Sequence, residues 1–133
     1  MKPTPEDLKT LLEKLSAPAW KARQNALVIG KTRVGCAVLA QSGEIYCGCN
    51  VEHRFRCHDV HAEVNALTSM VTAGGRAKAI LIVAERDRFT PCGGCMDWIM
   101  ELGGQDVIVA FQSGPNSPFL IHTAKELMPY YPE

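Results

Sequence analysis

Leu8, Leu11, Leu12 and Leu15 recur at helical spacing behind Thr4, Pro5 and the acidic pair Glu6-Asp7, which together form a good helix start. The pattern predicts an amphipathic helix that Pro18 interrupts. A second helical stretch is expected over Ala19–Ile29, ended by Gly30. The apolar runs Val34–Ala40 and Glu44–Asn50 flank Gln41-Ser42-Gly43, which has turn chemistry, so a β-hairpin is expected. Ala79–Ala84 and Val107–Phe111 are almost continuously apolar and β-branched, as strands buried on both faces are. Asp59 is placed to cap a helix running from Val60 to about Ala73, with Gly74-Gly75 as its stop. Another helix should open near Cys92 and close at Gly103-Gly104, and Ala124–Leu127 adds a last fragment. The order α-β-β-α-β-α-β-α implies a sheet covered on both faces, a three-layer α/β/α sandwich.

Length and composition narrow this to one domain over residues 1–133. The chain is 47% hydrophobic, enough to bury about two-thirds of the surface its unfolded form exposes. Fourteen lysines and arginines balance fourteen aspartates and glutamates, so no bulk field attracts a long polyanion, and a small, nearly neutral partner is expected rather than a nucleic-acid polymer. No apolar run approaches the roughly 18 residues of a spanning helix, and MKPTPEDLKT lacks a basic segment followed by an apolar one, so a cytoplasmic protein without membrane contact is expected. In a reducing compartment the six cysteines are thiols or metal ligands before they are disulfides. Cys36, Cys47 and Cys49 lie on predicted strands, where core packing accounts for them.

The candidate chemistry lies in two short motifs. His61-Ala62-Glu63 opens one predicted helix, and 31 positions after His61 the run Pro91-Cys92-Gly93-Gly94-Cys95 opens another. Each half alone is weak evidence. A Cys-x-x-Cys pair can place two thiolates on one tetrahedral metal, and three protein ligands leave a fourth position for water, as catalytic zinc sites do. Two thiolates and a neutral imidazole sum with Zn²⁺ to about zero charge, which favours ionisation of a bound water near neutral pH. Helix N-termini at both ligand groups would further stabilise anionic sulfur. Glu63 projects from a different side of its helix than His61 and is a poor fourth ligand. It is suited instead to move protons as a general acid and base. Cys57 and His58 stand near enough in sequence to form a competing ligand set, which would make the zinc structural and the chain a non-catalytic binding module.

His61-Ala62-Glu63 with Pro91-Cys92-Gly93-Gly94-Cys95 resembles the zinc signature of the cytidine deaminase family. Val34-Gly35-Cys36-Ala37 is similar to that family's first-strand segment, Gly48-Cys49-Asn50-Val51-Glu52 to its Gly-x-Asn-x-Glu motif, and Glu126-Leu127-Met128-Pro129 to its C-terminal Glu-Leu-Leu-Pro. The resemblance spans Val34 to Pro129. It implies a central mixed sheet of about five strands, one Zn²⁺ on His61, Cys92 and Cys95, a proton shuttle at Glu63, and substrate contacts at Asn50, Glu52 and Ala62. It further implies hydrolytic deamination of cytidine or deoxycytidine with release of ammonia, in pyrimidine salvage, by a homotetramer whose sites borrow residues from neighbouring subunits. Lys31-Thr32-Arg33 stands where the family places a base-contacting phenylalanine, so Phe55, Phe89, Phe119, Tyr130 and Tyr131 are candidates for that surface. Arg54 and Arg56 could instead hold a phosphate, which would make a cytosine nucleotide the substrate. A modified cytosine nucleoside of the blasticidin type is a further alternative, against which Glu52 argues.

Overall fold

The computed structural model of the chain describes residues 3–132. Helix α1 (Pro5–Arg23) opens with a capping box, in which the Thr4 N–H donates to the Asp7 carboxylate and the Asp7 N–H to the Thr4 hydroxyl, each at 3.1 Å. The helix does not end at Pro18. It continues for another five residues, and the expected second helix over Ala19–Ile29 is absent beyond Arg23. A proline inside a helix costs about 3 kcal/mol. Past it, Ala19 is fully buried and Trp20 packs against the same cluster, its indole N–H donating to Gln112 at 2.8 Å. Burying an aromatic of that size contributes on the order of 3 kcal/mol or more, which offsets the lost bond.

Five strands form one mixed sheet in the order β2-β1-β3-β4-β5. They are β1 (Gly35–Ala40), β2 (Ile45–Cys49), β3 (Ala77–Val83), β4 (Ile108–Gln112) and β5 (Leu120–Thr123). Only β3 and β4 run parallel; β1 pairs antiparallel with both β2 and β3, and β5 antiparallel with β4. The hairpin and both buried strands match the sequence pattern. β5 did not emerge from that pattern: it is four residues at the sheet edge, half exposed, and it follows a Gly-Pro-Asn-Ser-Pro turn.

Alternation along β1 and β3 sends side chains to two separate cores. Ala37, Ala79, Leu81, Val83 and Ala110 meet Leu12, Leu15 and Ala19 of α1. Cys36, Val38, Ala40, Ile80 and Ile82 face the other way. There they pack on α2 (Ala62–Thr72), α3 (Gly93–Gly103) and the short α4 (Ala124–Leu127), completing the three layers. α2 starts later than expected and its N-cap is His61, which makes no side-chain capping bond; Asp59 is not the cap. α4 carries its own capping box from Thr123 and Glu126, which gives the Glu126-Leu127 motif a structural use.

Two glycines let helices lie directly on the sheet. A Cβ on Gly48 would come within 2.5 Å of the Ala66 nitrogen on α2, and one on Gly35 within 2.1 Å of the Ala19 oxygen on α1. Asn65 of α2 also accepts the Cys49 N–H at 3.0 Å, fixing the helix against β2. Among the described residues, no helix is long and apolar enough to cross a membrane.

Candidate metal centre and substrate cavity

Two helix starts converge beside the ends of β1 and β3. His61 is the N-cap of α2, Cys92 the N-cap of α3, and Cys95 lies in the first turn of α3. The donor atoms of these three residues all lie within 4.8 Å of one another, the one such group found among the described residues. His61 Nδ1 is 3.2 Å from Cys95 Sγ and 3.5 Å from Cys92 Sγ. Tetrahedral zinc with bonds of about 2.0 Å to nitrogen and 2.3 Å to sulfur needs nitrogen–sulfur edges of about 3.5 Å. The residues therefore fit the ion. Cys57 is exposed and lies outside the group, and the His58 ring stacks edge-on against His53 at 5.2 Å.

The electrostatics call for a cation at this point. Glu63 is 6% exposed, and burial raises its pKa above the ordinary carboxylate value, against the opposing pull of its own backbone N–H, His61 and Cys95. Burial pushes the Cys95 thiol far above its usual range, and the charges of Glu63 and Cys92 push it further. Three acidic groups thus crowd one imidazole. A divalent ion reverses the penalty by stabilising both sulfurs as thiolates. The Cys95 N–H also donates to Cys92 Sγ at 3.5 Å, the helix-start contribution expected from the sequence.

The centre opens into a cavity of about 260 Å³, whose walls include Asn50, Glu52, Ala62 and Glu63 as well as His61 and Cys92. Every site residue expected from the sequence except the buried Cys95 lines it. Asn50 and Glu52 do more than face the cavity. The Asn50 side-chain oxygen accepts the Val34 N–H at 2.8 Å and its amide donates to the Thr32 carbonyl at 2.9 Å. Glu52 accepts the Ile29 and Gly30 N–H groups at 2.7 and 2.9 Å. Both residues therefore brace the segment leading into β1, which forms one cavity wall. Ala62 is buried, and its N–H, at the first helical position, has no carbonyl four residues earlier within the helix to bond.

The structure decides among alternatives that the sequence left open at three places in this cavity. Phe89 lines it from the loop before α3 and packs on Phe111 at 4.1 Å between ring centroids, which separates it from the other candidate aromatics. Thr32 occupies the wall where an aromatic was expected. The third is an ion-pair cluster. Arg56 Nε donates to Asp59 at 2.8 Å and its terminal nitrogen lies 3.4 Å from Glu52, with Asp59 also lining the cavity. The charge alternation Glu52, Arg56, Asp59 was visible, but its meeting depends on the short 3-10 turn Arg56–His58.

Comparison with known proteins agrees with this geometry. Residues 9–111 match the cytidine and deoxycytidylate deaminase zinc-binding region. A cytidine deaminase from Sporosarcina psychrophila is 41% identical over 93 residues, which make up 68% of each chain. Cytidine deaminase 7 from Arabidopsis thaliana is 30% identical over 113 residues, covering 77% of this chain but only 36% of that longer protein. Among solved structures, cytidine deaminase from Burkholderia pseudomallei superposes with a TM-score of 0.80 at 31% identity, covering 88% of this chain and 95% of that one. With residues 9–111 matching the family's zinc-binding region, a 41% identical relative over 68% of its length and the same fold in a solved relative, the chain belongs to the cytidine and deoxycytidylate deaminase family.

Proposed function

We propose that the protein is a zinc-dependent aminohydrolase that converts cytidine and deoxycytidine to uridine and deoxyuridine with release of ammonia. The observation that carries the reading is the buried Glu63 carboxyl beside a three-donor centre, in a cavity that Asn50 and Glu52 also line. Zinc, when bound by His61, Cys92 and Cys95, supplies a coordinated water whose pKa is lowered towards neutrality. Glu63 accepts a proton from water as the water oxygen bonds to C4 and delivers it to the ring nitrogen N3; it then takes the remaining proton of that oxygen and passes it to the amine as the C4–N bond breaks, so that one water is consumed per ammonia released. Its raised pKa suits a group that must both take and give protons near neutral pH. Asn50, Glu52 and the Ala62 backbone hold the nucleoside, the carboxylate accepting from a sugar hydroxyl through lone pairs that Ile29 and Gly30 leave free. Phe89 offers the flat wall against which the pyrimidine stacks.

The rest of the reading is a cytoplasmic homotetramer working in pyrimidine salvage. Exposed Leu27, Ile29 and Phe55 support the assembly as apolar surface that a second subunit would cover. The test is ultraviolet absorbance on cytidine and deoxycytidine with zinc-loaded wild type and Glu63→Gln. Turnover is expected to fall about 10²- to 10⁴-fold in the variant, with one zinc per chain retained. Equal activity in both would reject the reading.

A further inference from the structure

Two stretches outside the named helices and strands line the cavity. Residues 24–34 lead into β1 and contribute Thr32 and Val34, while residues 85–92 lead from β3 to α3 and contribute Phe89 and Cys92. Asn50 and Glu52 brace the first stretch. The second is held sparsely. Among the described residues its backbone makes a single turn bond before Cys92, from the Arg86 N–H to the Ala84 carbonyl at 2.9 Å, and Phe89 packs on Phe111.

Arg23, the last residue of α1, reaches both stretches although it does not line the cavity. Its Nε donates to the Arg33 carbonyl at 3.0 Å, and a terminal nitrogen lies 3.4 Å from the Glu85 carboxylate. The side chain is 19% exposed and its guanidinium lies over the Trp20 ring, 5.5 Å from the centroid, which holds the fork in place. Gly35 lets the end of α1 sit this close, since a Cβ there would come within 2.8 Å of the Arg23 Cβ. A planar guanidinium presents separate N–H groups in fixed directions and can serve two oxygens at once; an ammonium on a flexible stem is a point charge that serves one of them well. Resting on the deaminase reading above, we propose that Arg23 is a positioning residue: by bridging Arg33 and Glu85 it fixes the spacing of two cavity-lining segments and so sets the affinity for the nucleoside.

The experiment measures KM and kcat for cytidine on zinc-loaded wild type, Arg23→Met, Arg23→Lys, Glu85→Ala and the Arg23→Met, Glu85→Ala double variant. Each single change breaks the bridge at one end or both, so each should raise KM about fivefold, the size of one modest charged contact. With kcat held within about twofold and one zinc per chain retained, such a rise marks lost binding rather than lost chemistry. The double variant should be no worse than either single one, because a bridge can be broken only once. A purely structural role for Arg23, as a packed stem or as the positive charge ending α1, would be satisfied by lysine, so full rescue in Arg23→Lys overturns the proposal. An unchanged KM in Arg23→Met or Glu85→Ala, losses that add in the double variant, or a fall in kcat with KM unmoved would overturn it too. The Glu85 side chain is 73% exposed, so Glu85→Ala keeps the test open should Arg23→Met fold poorly. Wild type that turns over cytidine while the variants match it defeats this inference alone, whereas wild type inactive on cytidine defeats the deaminase reading and this inference with it.

Discussion

At the scale of single residues, the site mixes groups proposed to do chemistry with groups that hold loops. Glu52 and Asp59 show the second use through their pKa values. Backbone N–H groups of Gly30 and Ile29 hold the Glu52 carboxyl below its ordinary range, and the His53 N–H does the same for Asp59. The folded protein therefore binds fewer protons at these groups than the unfolded chain. Their contribution to stability is complete above the ordinary carboxylate pKa of about 4, and is lost as pH falls through the lowered folded values. Urea midpoints measured from pH 6 down to pH 2.5 should fall less steeply for Glu52→Gln than for wild type. Asn50 makes a sharper case: it is 9% exposed, and Asn50→Ala removes the partners of the Val34 N–H and the Thr32 carbonyl in a part-buried setting. It should destabilise the fold by about 2 kcal/mol in chemical denaturation and raise KM more than it lowers kcat. That His61, Cys92 and Cys95 would meet was legible in the sequence, because metal ligation demands few residue types at short spacings. The bracing roles of Asn50 and Glu52 were not, since their partners at Ile29, Gly30, Thr32 and Val34 are set by loop geometry rather than by pattern.

Elements were readable where burial imposes a period and unreadable where tertiary contacts overrule a local signal. The hairpin, β3, β4 and α3 follow directly from apolar runs and glycine stops. Pro18 misled because the gain from seating Trp20 lies across the molecule, at Gln112 on β4. That glutamine is 2% exposed and fully used: its oxygen accepts the Ser16 hydroxyl and the Trp20 indole, and its nitrogen donates to the Pro115 and Ser117 carbonyls. Gln112→Ala removes all four bonds from a buried position and should cost about 2–4 kcal/mol by urea denaturation, with loosening of α1 visible as faster hydrogen exchange. The other revealing contact is Gly48 against α2. Gly48→Ala drives a methyl into the Ala66 nitrogen and the Ala62 carbonyl. Because α2 begins at His61 and Glu63, the shift should weaken zinc retention in a chelator competition as well as lower the melting temperature.

For the molecule as a whole, the two helices that carry the proposed metal donors belong to a core cluster that includes none of those donors. Leu67, Met70 and Ile99 are fully buried there with Ile80 and Ile82 of the sheet. Removing zinc with a chelator should therefore lower the melting temperature without erasing the far-ultraviolet signal of the fold. At zinc a hundredfold above its dissociation constant, the lost linkage amounts to about 2.7 kcal/mol. Complete unfolding on chelation would contradict the packing described for α2 and α3. Close approach of α2 to β2 at Gly48, and its tie through Asn65, fix the helix start that carries His61, so the imidazole is aimed before any ion arrives. Such a vessel can be emptied and refilled: cobalt or cadmium offered to the stripped chain should take the same seat, giving an optical reporter of the centre without rebuilding the protein around it.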